Sequence, residues 1–416
     1  MDDSHSGNDL FVPTFIARQP IFDAQQKIWG YELLYRHSSA ATSAIFSDEE
    51  SATLAVAACA SCQQMEFARD SKMLINFTEQ SIMENVPLAL PAENTIVEIP
   101  EQAPASAAFI DALRRMKQAG YKIALDGFEG KPECEALHAI ADVLKIDILH
   151  KTKEQIDSVL KKAAPFGLQL VAMRVEDNGA FNAAKQLDFT LFQGFFFKKP
   201  EIIESRKLKP NEASRLNLFS LMEKEEPDFE QLTNTIQADV AISYSLLSYL
   251  NSAAFGMRNK ISSIKQALLL LGWKQIKNWL RVIILTDIKP REKTSELPYL
   301  AVQRGKFFQL AATVSNYHKA QPDALFLMGL FSLLDVMLSM SMSKVVTSLP
   351  LDEGMKAALA GQRNEYRQWL EIALCFENAQ WDQLVILLKE MGLDPVNTAQ
   401  AYYESIAWAS VFFQRG

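Results

Sequence analysis

In the first half of the chain, short apolar runs repeatedly end on a residue that carries charge or a hydrogen bond, with segments of helical character between them. Asn76 follows Met73-Leu74-Ile75, Glu98 follows Thr95-Ile96-Val97, and Asp126 follows Ile123-Ala124-Leu125. Lys145 and Asp147 stand in Val143-Leu144-Lys145-Ile146-Asp147, and Gln193 follows Leu191-Phe192. Strands whose polar residues collect at one end, alternating with helices, are what a (β/α) barrel displays at its catalytic face. The earliest instance is Gly30-Tyr31-Glu32-Leu33-Leu34-Tyr35-Arg36, which sets Tyr31, Leu33 and Tyr35 on one face and Glu32, Leu34 and Arg36 on the other. A carboxylate and a guanidinium on one side of an apolar strand are costly to bury without partners. They either pair with each other or line a cavity for something charged, and the later strand ends favour the cavity.

Taken in order, the chain predicts a strand at 14–18 and a second around Glu32, about ten residues on. That gap is too short for a helical crossover, so the two are expected as antiparallel neighbours. An Ala-rich helix over 49–65 follows, then strands at 73–76, 95–99, 121–126, 143–148, 168–175 and 191–197. The helices between them fall near 79 and over 104–119, 132–140, 151–164 and 178–186, the second of these stopped by Gly120. Eight strands with one antiparallel pair suffice to close a barrel. The charged stretch 201–210, bounded by Pro200 and Pro210, reads as a linker. Beyond it only helical spacing recurs. The 416 residues therefore divide into a disordered start (1–13), a barrel (14–200), the linker (201–210) and an all-helical domain (211–416).

The composition excludes several classes. A net charge of −8 argues against non-specific nucleic-acid binding. Residues 1–13 have neither a basic start nor an apolar core, so no signal peptide is read there. Four cysteines in so long a chain suggest no disulfide framework, which fits a reducing cytoplasm. The apolar stretch 324–342 carries Asp335 at its centre and has no basic flank, so a buried helix is expected there rather than a membrane span. The CxxC of Cys59 and Cys62 lies alone in a helical segment with no second pair nearby, and two small core residues account for it.

Glu32, Asn76, Glu98 and Asp126 all offer oxygen, the donor that suits a hard divalent ion such as Mg²⁺. Lys145, two residues before Asp147 on one strand face, can orient a water or bind a phosphate. Three carboxylates converging at one mouth need compensation. One divalent ion is the reading adopted, with Lys145 and Arg174 as the alternative source of positive charge.

These motifs give the first half a resemblance to the EAL domain, the cyclic di-GMP phosphodiesterase barrel. Glu32-Leu33-Leu34 with Arg36 stands where that family has Glu-Ala-Leu-x-Arg. Ile75-Asn76-Phe77, Val97-Glu98-Ile99, Ile123-Ala124-Leu125-Asp126, Leu144-Lys145-Ile146-Asp147 and Gln193-Gly194-Phe195-Phe196-Phe197 follow in the family's order. The resemblance implies that Glu32, Asn76, Glu98 and Asp126 bind one metal, that Lys145 holds the attacking water, and that Arg36 and Gln193 contact the ligand. The sequence also departs from the family. Gly127 replaces the second of two consecutive Asp residues, Glu129-Gly130-Lys131-Pro132 replaces a Gly-Thr-Gly loop, and Met173 replaces a glutamate. Gly127 and Met173 are thus lost ligand positions, and one Mg²⁺ or Mn²⁺ is expected, with the second metal site absent.

The second half is similar to the HDOD family, which is related to HD phosphohydrolases without their catalytic His-Asp. Tyr249-Leu250-Asn251-Ser252-Ala253-Ala254-Phe255-Gly256 and Leu271-Gly272-Trp273 carry that likeness, and Ser332-Leu333 stands where an HD enzyme has His-Asp. The expected fold is a (β/α)8 TIM-like barrel with one antiparallel strand, followed by an all-helical HDOD domain. The expected function is cyclic di-GMP signalling by a degenerate, inactive EAL domain coupled to a helical output module. The alternative is an active phosphodiesterase forming linear pGpG, in which Lys145, Asp147, Glu176 and Gln193 serve catalysis. Expected partners are cyclic di-GMP and a protein bound through the helical half, with a homodimer as a further option. Neither a membrane nor direct nucleic-acid contact is expected.

Overall fold

The computed structural model describes residues 14–37, 71–199, 210–224, 228–238, 271–288 and 296–410, with isolated positions between 242 and 267 and at 413. The start of the chain, the helix expected over 49–65 with Cys59 and Cys62, the linker 201–209 and most of the HDOD signature at 249–264 lie outside the described residues.

Eight strands form a closed barrel in sequence order. They are β1 (Thr14–Asp23), β2 (Ile28–His37), β3 (Lys72–Asn76), β4 (Thr95–Pro100), β5 (Lys122–Asp126), β6 (Val143–Asp147), β7 (Gln169–Met173) and β8 (Leu191–Gln193). The first two form a hairpin turned by Asp23, whose Oδ1 accepts the amides of Gln25 (2.9 Å) and Lys27 (2.8 Å). β1 runs antiparallel to β2 and also to β8, where Ile21 pairs with Gln193, and all other pairs are parallel. One reversed strand in a closed ring has two neighbours. The single antiparallel pair expected from the sequence is therefore corrected to two. β8 also ends sooner than its apolar run suggests. At Gly194 φ is +151°, and a Cβ there would strike the backbone of Val175, so the chain turns away into a short 3-10 turn at Phe196–Lys198.

Five α-helices are described between the strands, and all but the one at Glu135–His138 start on a side-chain cap. They are α1 (Glu79–Met83, capped by Thr78), α2 (Ala107–Gln118, Ser106), α3 (Glu135–His138), α4 (Lys153–Ala163, Thr152) and α5 (Asn178–Gln186, Asp177). Each capping oxygen takes an amide that would otherwise be orphaned, which fixes where each strand-to-helix connection ends.

Inside the barrel, Ile21, Leu74, Ile96, Ala124, Val143, Val171 and Leu191 make one apolar plug. Side chains two apart on a strand share a face. Two residues beyond each parallel member of that plug therefore come Asn76, Glu98, Asp126, Lys145, Met173 and Gln193, and β1, running the other way, adds Gln19. The alternation that buries the plug thus builds a polar layer upon it.

Beyond residue 210 every described element is helical. The helices are α6 (Pro210–Met222), α7 (Phe229–Ala238), α8 (Trp273–Ile288), α9 (Glu296–Val314), α10 (Pro322–Phe331), α11 (Leu334–Leu338), α12 (Met342–Val345), α13 (Glu353–Leu359), α14 (Glu365–Glu377), α15 (Trp381–Met391) and α16 (Pro395–Ser410). α9 is the core helix, buried on most of its surface. The one long helix expected over 324–342 breaks at Ser332, whose hydroxyl donates to Gly329 O (2.7 Å) and receives Arg304 Nη1 (2.9 Å). Among the described residues no single helix is long and apolar enough to cross a membrane. The stretch Pro322–Leu338 meets Met342–Ser348 at a bend of 118°.

Two buried polar contacts join barrel and helices. Arg18 on β1 bonds Glu296 at the start of α9 (3.2 Å), which also accepts from the Tyr31 hydroxyl (3.2 Å), and the Arg18 guanidinium lies between the rings of Tyr31 and Tyr299. Lys198 bonds Glu377 (2.6 Å), which Arg304 grips through both Nε (2.7 Å) and Nη2 (2.8 Å).

Candidate functional site

The polar layer closes around one ammonium. Lys145 Nζ, fully buried, lies 2.9 Å from Glu32 Oε2, 2.5 Å from Glu98 Oε1 and 3.6 Å from Asp126 Oδ1. Glu32 also accepts from Asn76 Nδ2 (3.2 Å) and Gln193 Nε2 (2.5 Å), and the Gln193 amide reaches Gln19 as well (2.8 Å). Six residues read from strand ends, Glu32, Asn76, Glu98, Asp126, Lys145 and Gln193, thus meet at one point.

The charges do not balance: three carboxylates face one cation. Burial pushes the Glu32 carboxyl up, but Lys145, Gln193 and Asn76 together outweigh it and hold the group below the usual carboxylate range. Burial pushes Glu98 up too, to about 8, with Glu32 and Asp126 adding to the rise and Lys145 opposing it. Burial alone would lower Lys145, yet the three carboxylates keep it firmly protonated. Three buried oxygens here, Glu98 Oε2, Asp126 Oδ1 and Gln193 Oε1, accept no hydrogen bond.

The remaining expected residues stand apart. Asp147, one layer above Lys145, turns outward to pair with Arg174 and accepts the amide of Leu149 (2.9 Å). Arg174 is thereby spent at the rim, and among the described residues Lys145 is the one cation paired with these carboxylates. Glu176 faces Lys199 at 3.6 Å, with both side chains about half exposed. Arg36 belongs to β2, but its side chain lies outside the described residues.

Reading the sequence missed Glu101, which follows β4 and is 1% exposed. It accepts the amides of Glu129 (2.9 Å), Gly130 (2.8 Å) and Lys131 (3.2 Å), and it bonds His138 Nε2 (2.8 Å). One carboxylate therefore shapes the whole loop after β5. Its partners lie 28 to 37 residues away, so no local pattern announces it.

Comparison with known proteins agrees with this geometry. Residues 11–200 match the EAL domain and residues 210–349 the HDOD domain. YuxH of Bacillus subtilis is 32% identical over 404 residues, which cover 95% of this chain and 97% of that protein. The chain belongs to the EAL–HDOD family. The cyclic di-GMP phosphodiesterase CdgJ of Vibrio cholerae is also 32% identical, over 96% of this chain and 93% of its own length. A standalone EAL protein from Vibrio cholerae O395, solved with cyclic di-GMP bound, is 22% identical over 46% of this chain and 93% of that one, with a TM-score of 0.38.

Within this EAL barrel the two departures have definite places. Met173 is the one apolar member of the polar layer at the end of β7. Gly127 directly follows Asp126, and its φ of +68° is a left-handed conformation natural to glycine. No heavy atom outside the neighbouring residues lies within 4 Å of where its Cβ would be, so the position opens on free space. In donor chemistry, though not in spacing, the set suits a divalent cation: four oxygen-bearing side chains, an excess of negative charge, and acceptor oxygens without donors. In the present arrangement these groups gather on Lys145 instead. Among the described residues, no group of three or more His, Cys, Asp or Glu is spaced to hold an ion.

Proposed function

We propose that this protein is a cyclic di-GMP signalling protein whose barrel binds the dinucleotide with negligible hydrolysis and whose helical half passes the signal to a protein partner. The observation carrying this reading is the composition of the polar layer. Glu32, Asn76, Glu98 and Asp126 supply one set of oxygen donors, while Gly127 and Met173 supply none for a second. In two-metal hydrolysis one ion activates the nucleophile and its partner stabilises the opposing charge. A chain able to hold one Mg²⁺ or Mn²⁺ keeps the means to bind a phosphodiester and lacks half of the means to cleave it. When bound, that ion would supply Lewis acidity toward a phosphoryl oxygen. Lys145 contributes a fixed positive charge, Gln193 a donor amide, and Arg36 a guanidinium on the same strand as Glu32.

A second reading, an active phosphodiesterase yielding linear pGpG, is favoured by the relationship to CdgJ. It works either with one metal or with a second held by substitutes such as Asp147 and Glu176, which would then leave Arg174 and Lys199.

Calorimetry of cyclic di-GMP binding with and without Mg²⁺, run beside a turnover assay, separates the two. Saturable binding with turnover far below that of an intact EAL enzyme is expected, and turnover within about tenfold of one would sink the proposal. The missing chemistry should be partly recoverable. Gly127→Asp with Met173→Glu should raise metal-dependent hydrolysis by about tenfold or more over the parent, and each change alone should do little, since ligands of one site act as a unit. A double variant that binds no second ion would show that positions 127 and 173 are not the lost ligand positions.

A further inference from the structure

A cavity of about 330 Å³ opens where the segment after β8 meets the helical half, beside the break between α10 and α11. Lys198 and Lys199 border it from the barrel side, and Arg304, Arg367 and Asp335 from the helices. Leucines at 333, 359, 370 and 374 supply an apolar wall. The volume lies at the small end of ligand sites, which run from about 300 to 1,000 Å³.

Four cations border the space; Glu377 holds Arg304 and Lys198 closely, while Glu371 and Glu176 stand only loosely by Arg367 and Lys199. Burial pushes Glu377 up, but Arg304 and Lys198 outweigh it and bring the carboxyl down to about 2, so it stays ionised and anchors both cations. The outer pair is looser. Arg367 donates to Ala358 O at 3.3 Å and stands 3.9 Å from Glu371, while half-exposed Lys199 faces Glu176. Asn378, also on the lining, has a buried Oδ1 that accepts no hydrogen bond.

We propose that this cavity binds an organic phosphomonoester of mononucleotide size, with its phosphate toward Arg304 and Arg367, its flat body on the leucine wall, and an N–H donated to Asn378. A phosphomonoester carries about −1.5 to −2 charge at neutral pH, enough to replace the loose carboxylates beside Arg367 and Lys199. Arginine is suited to phosphate because its fork of donors can bond two oxygens at once. Bare phosphate would leave the wall and Asn378 unused, and a cyclic dinucleotide outgrows the space. The site is also tied to the barrel mouth. Phe195, which lines it, is two residues from Gln193, whose amide bonds Glu32. The proposal is independent of whether the barrel hydrolyses cyclic di-GMP.

The test is calorimetry on the full chain with GMP, with inorganic phosphate and, in a separate titration, with cyclic di-GMP. The proteins compared are the parent, Arg367→Gln, Asn378→Leu and Glu32→Ala, with thermal melts to verify folding. GMP should bind the parent and Glu32→Ala alike, about tenfold or more weaker in Arg367→Gln and several-fold weaker in Asn378→Leu, and inorganic phosphate should bind more weakly than GMP. Absence of GMP binding to the parent overturns the proposal. So does binding lost in Glu32→Ala but kept in Arg367→Gln, which would place the nucleotide in the barrel mouth. Inorganic phosphate binding as tightly as GMP overturns the nucleotide assignment. The separate cyclic di-GMP titration keeps a failure here distinct from a failure of the barrel to bind its own ligand.

Discussion

The barrel mouth and the seam between the halves hold buried charge clusters of opposite sense. At the mouth three carboxylates crowd one ammonium, and at the seam two cations share one carboxylate. The difference lies in how fully each is satisfied. Both oxygens of Glu377 are bonded by charged donors, whereas Glu98 Oε2 and Asp126 Oδ1 have no donor. A closed cluster of this kind fastens two surfaces together. An open one retains capacity for something else, and it tolerates its own repulsion only by keeping a proton on Glu98 or by gaining positive charge.

The largest expected effect falls on the fastener. Glu377→Ala strands Arg304 and Lys198 without their shared partner, and removing one member of a buried pair costs about 3–5 kcal/mol. Urea unfolding of the full chain measures this, and a loss under about 1 kcal/mol would mean that the seam is not closed as described. The depressed pKa of Glu377 sets the pH window. Its stabilisation is present above about 4.5 and is lost as the pH falls through about 2, so parent and variant should converge in acid.

Glu101 supplies a comparison within the barrel, as a buried carboxylate that is fully bonded. Glu101→Ala should cost about 1–3 kcal/mol and speed amide exchange at residues 129–131 while leaving the strands protected. Unchanged exchange there would show that the loop holds its shape without the carboxylate.

The smallest effect sharpens the contrast most. Glu98 has its folded pKa raised to about 8 from its ordinary value near 4.5. A carboxyl shifted upward contributes stability that is full below about 4.5 and is lost as the pH rises through about 8. Glu98→Gln cannot ionise and escapes that loss. Its melting temperature should therefore gain on the parent between pH 5 and pH 8.5, and parallel curves for the two would remove the case for an unbalanced mouth.

The residues that assemble the mouth were legible because strand alternation is local. Leu74 to Asn76, Ile96 to Glu98, Ala124 to Asp126 and Val143 to Lys145 are steps of two along single strands, and once the barrel closes such steps point to one layer. The same rule misled at Asp147. It shares the strand face of Lys145, but it is the last residue of β6, where the chain is free to turn the carboxylate out to Arg174. Glu101 and the seam were not legible, since their partners come from other elements and only the closed fold brings them near. The early end of β8 was hidden because an apolar run of phenylalanines says nothing of the space left beside Val175.

The reversed first strand has a consequence for how the chain comes into being. β1 leaves the ribosome first, yet one of its edges waits for β8 and its Arg18 waits for Glu296, 278 residues further on. At about 5–20 residues per second, translation alone separates Arg18 from its partner by roughly 15 to 55 seconds. Until β8 emerges, about 170 residues after β1, the hairpin has an open edge, the kind of surface that recruits foreign strands. The hazard this topology creates is thus concentrated in the protein's synthesis, before the barrel exists, rather than in the life of the finished molecule.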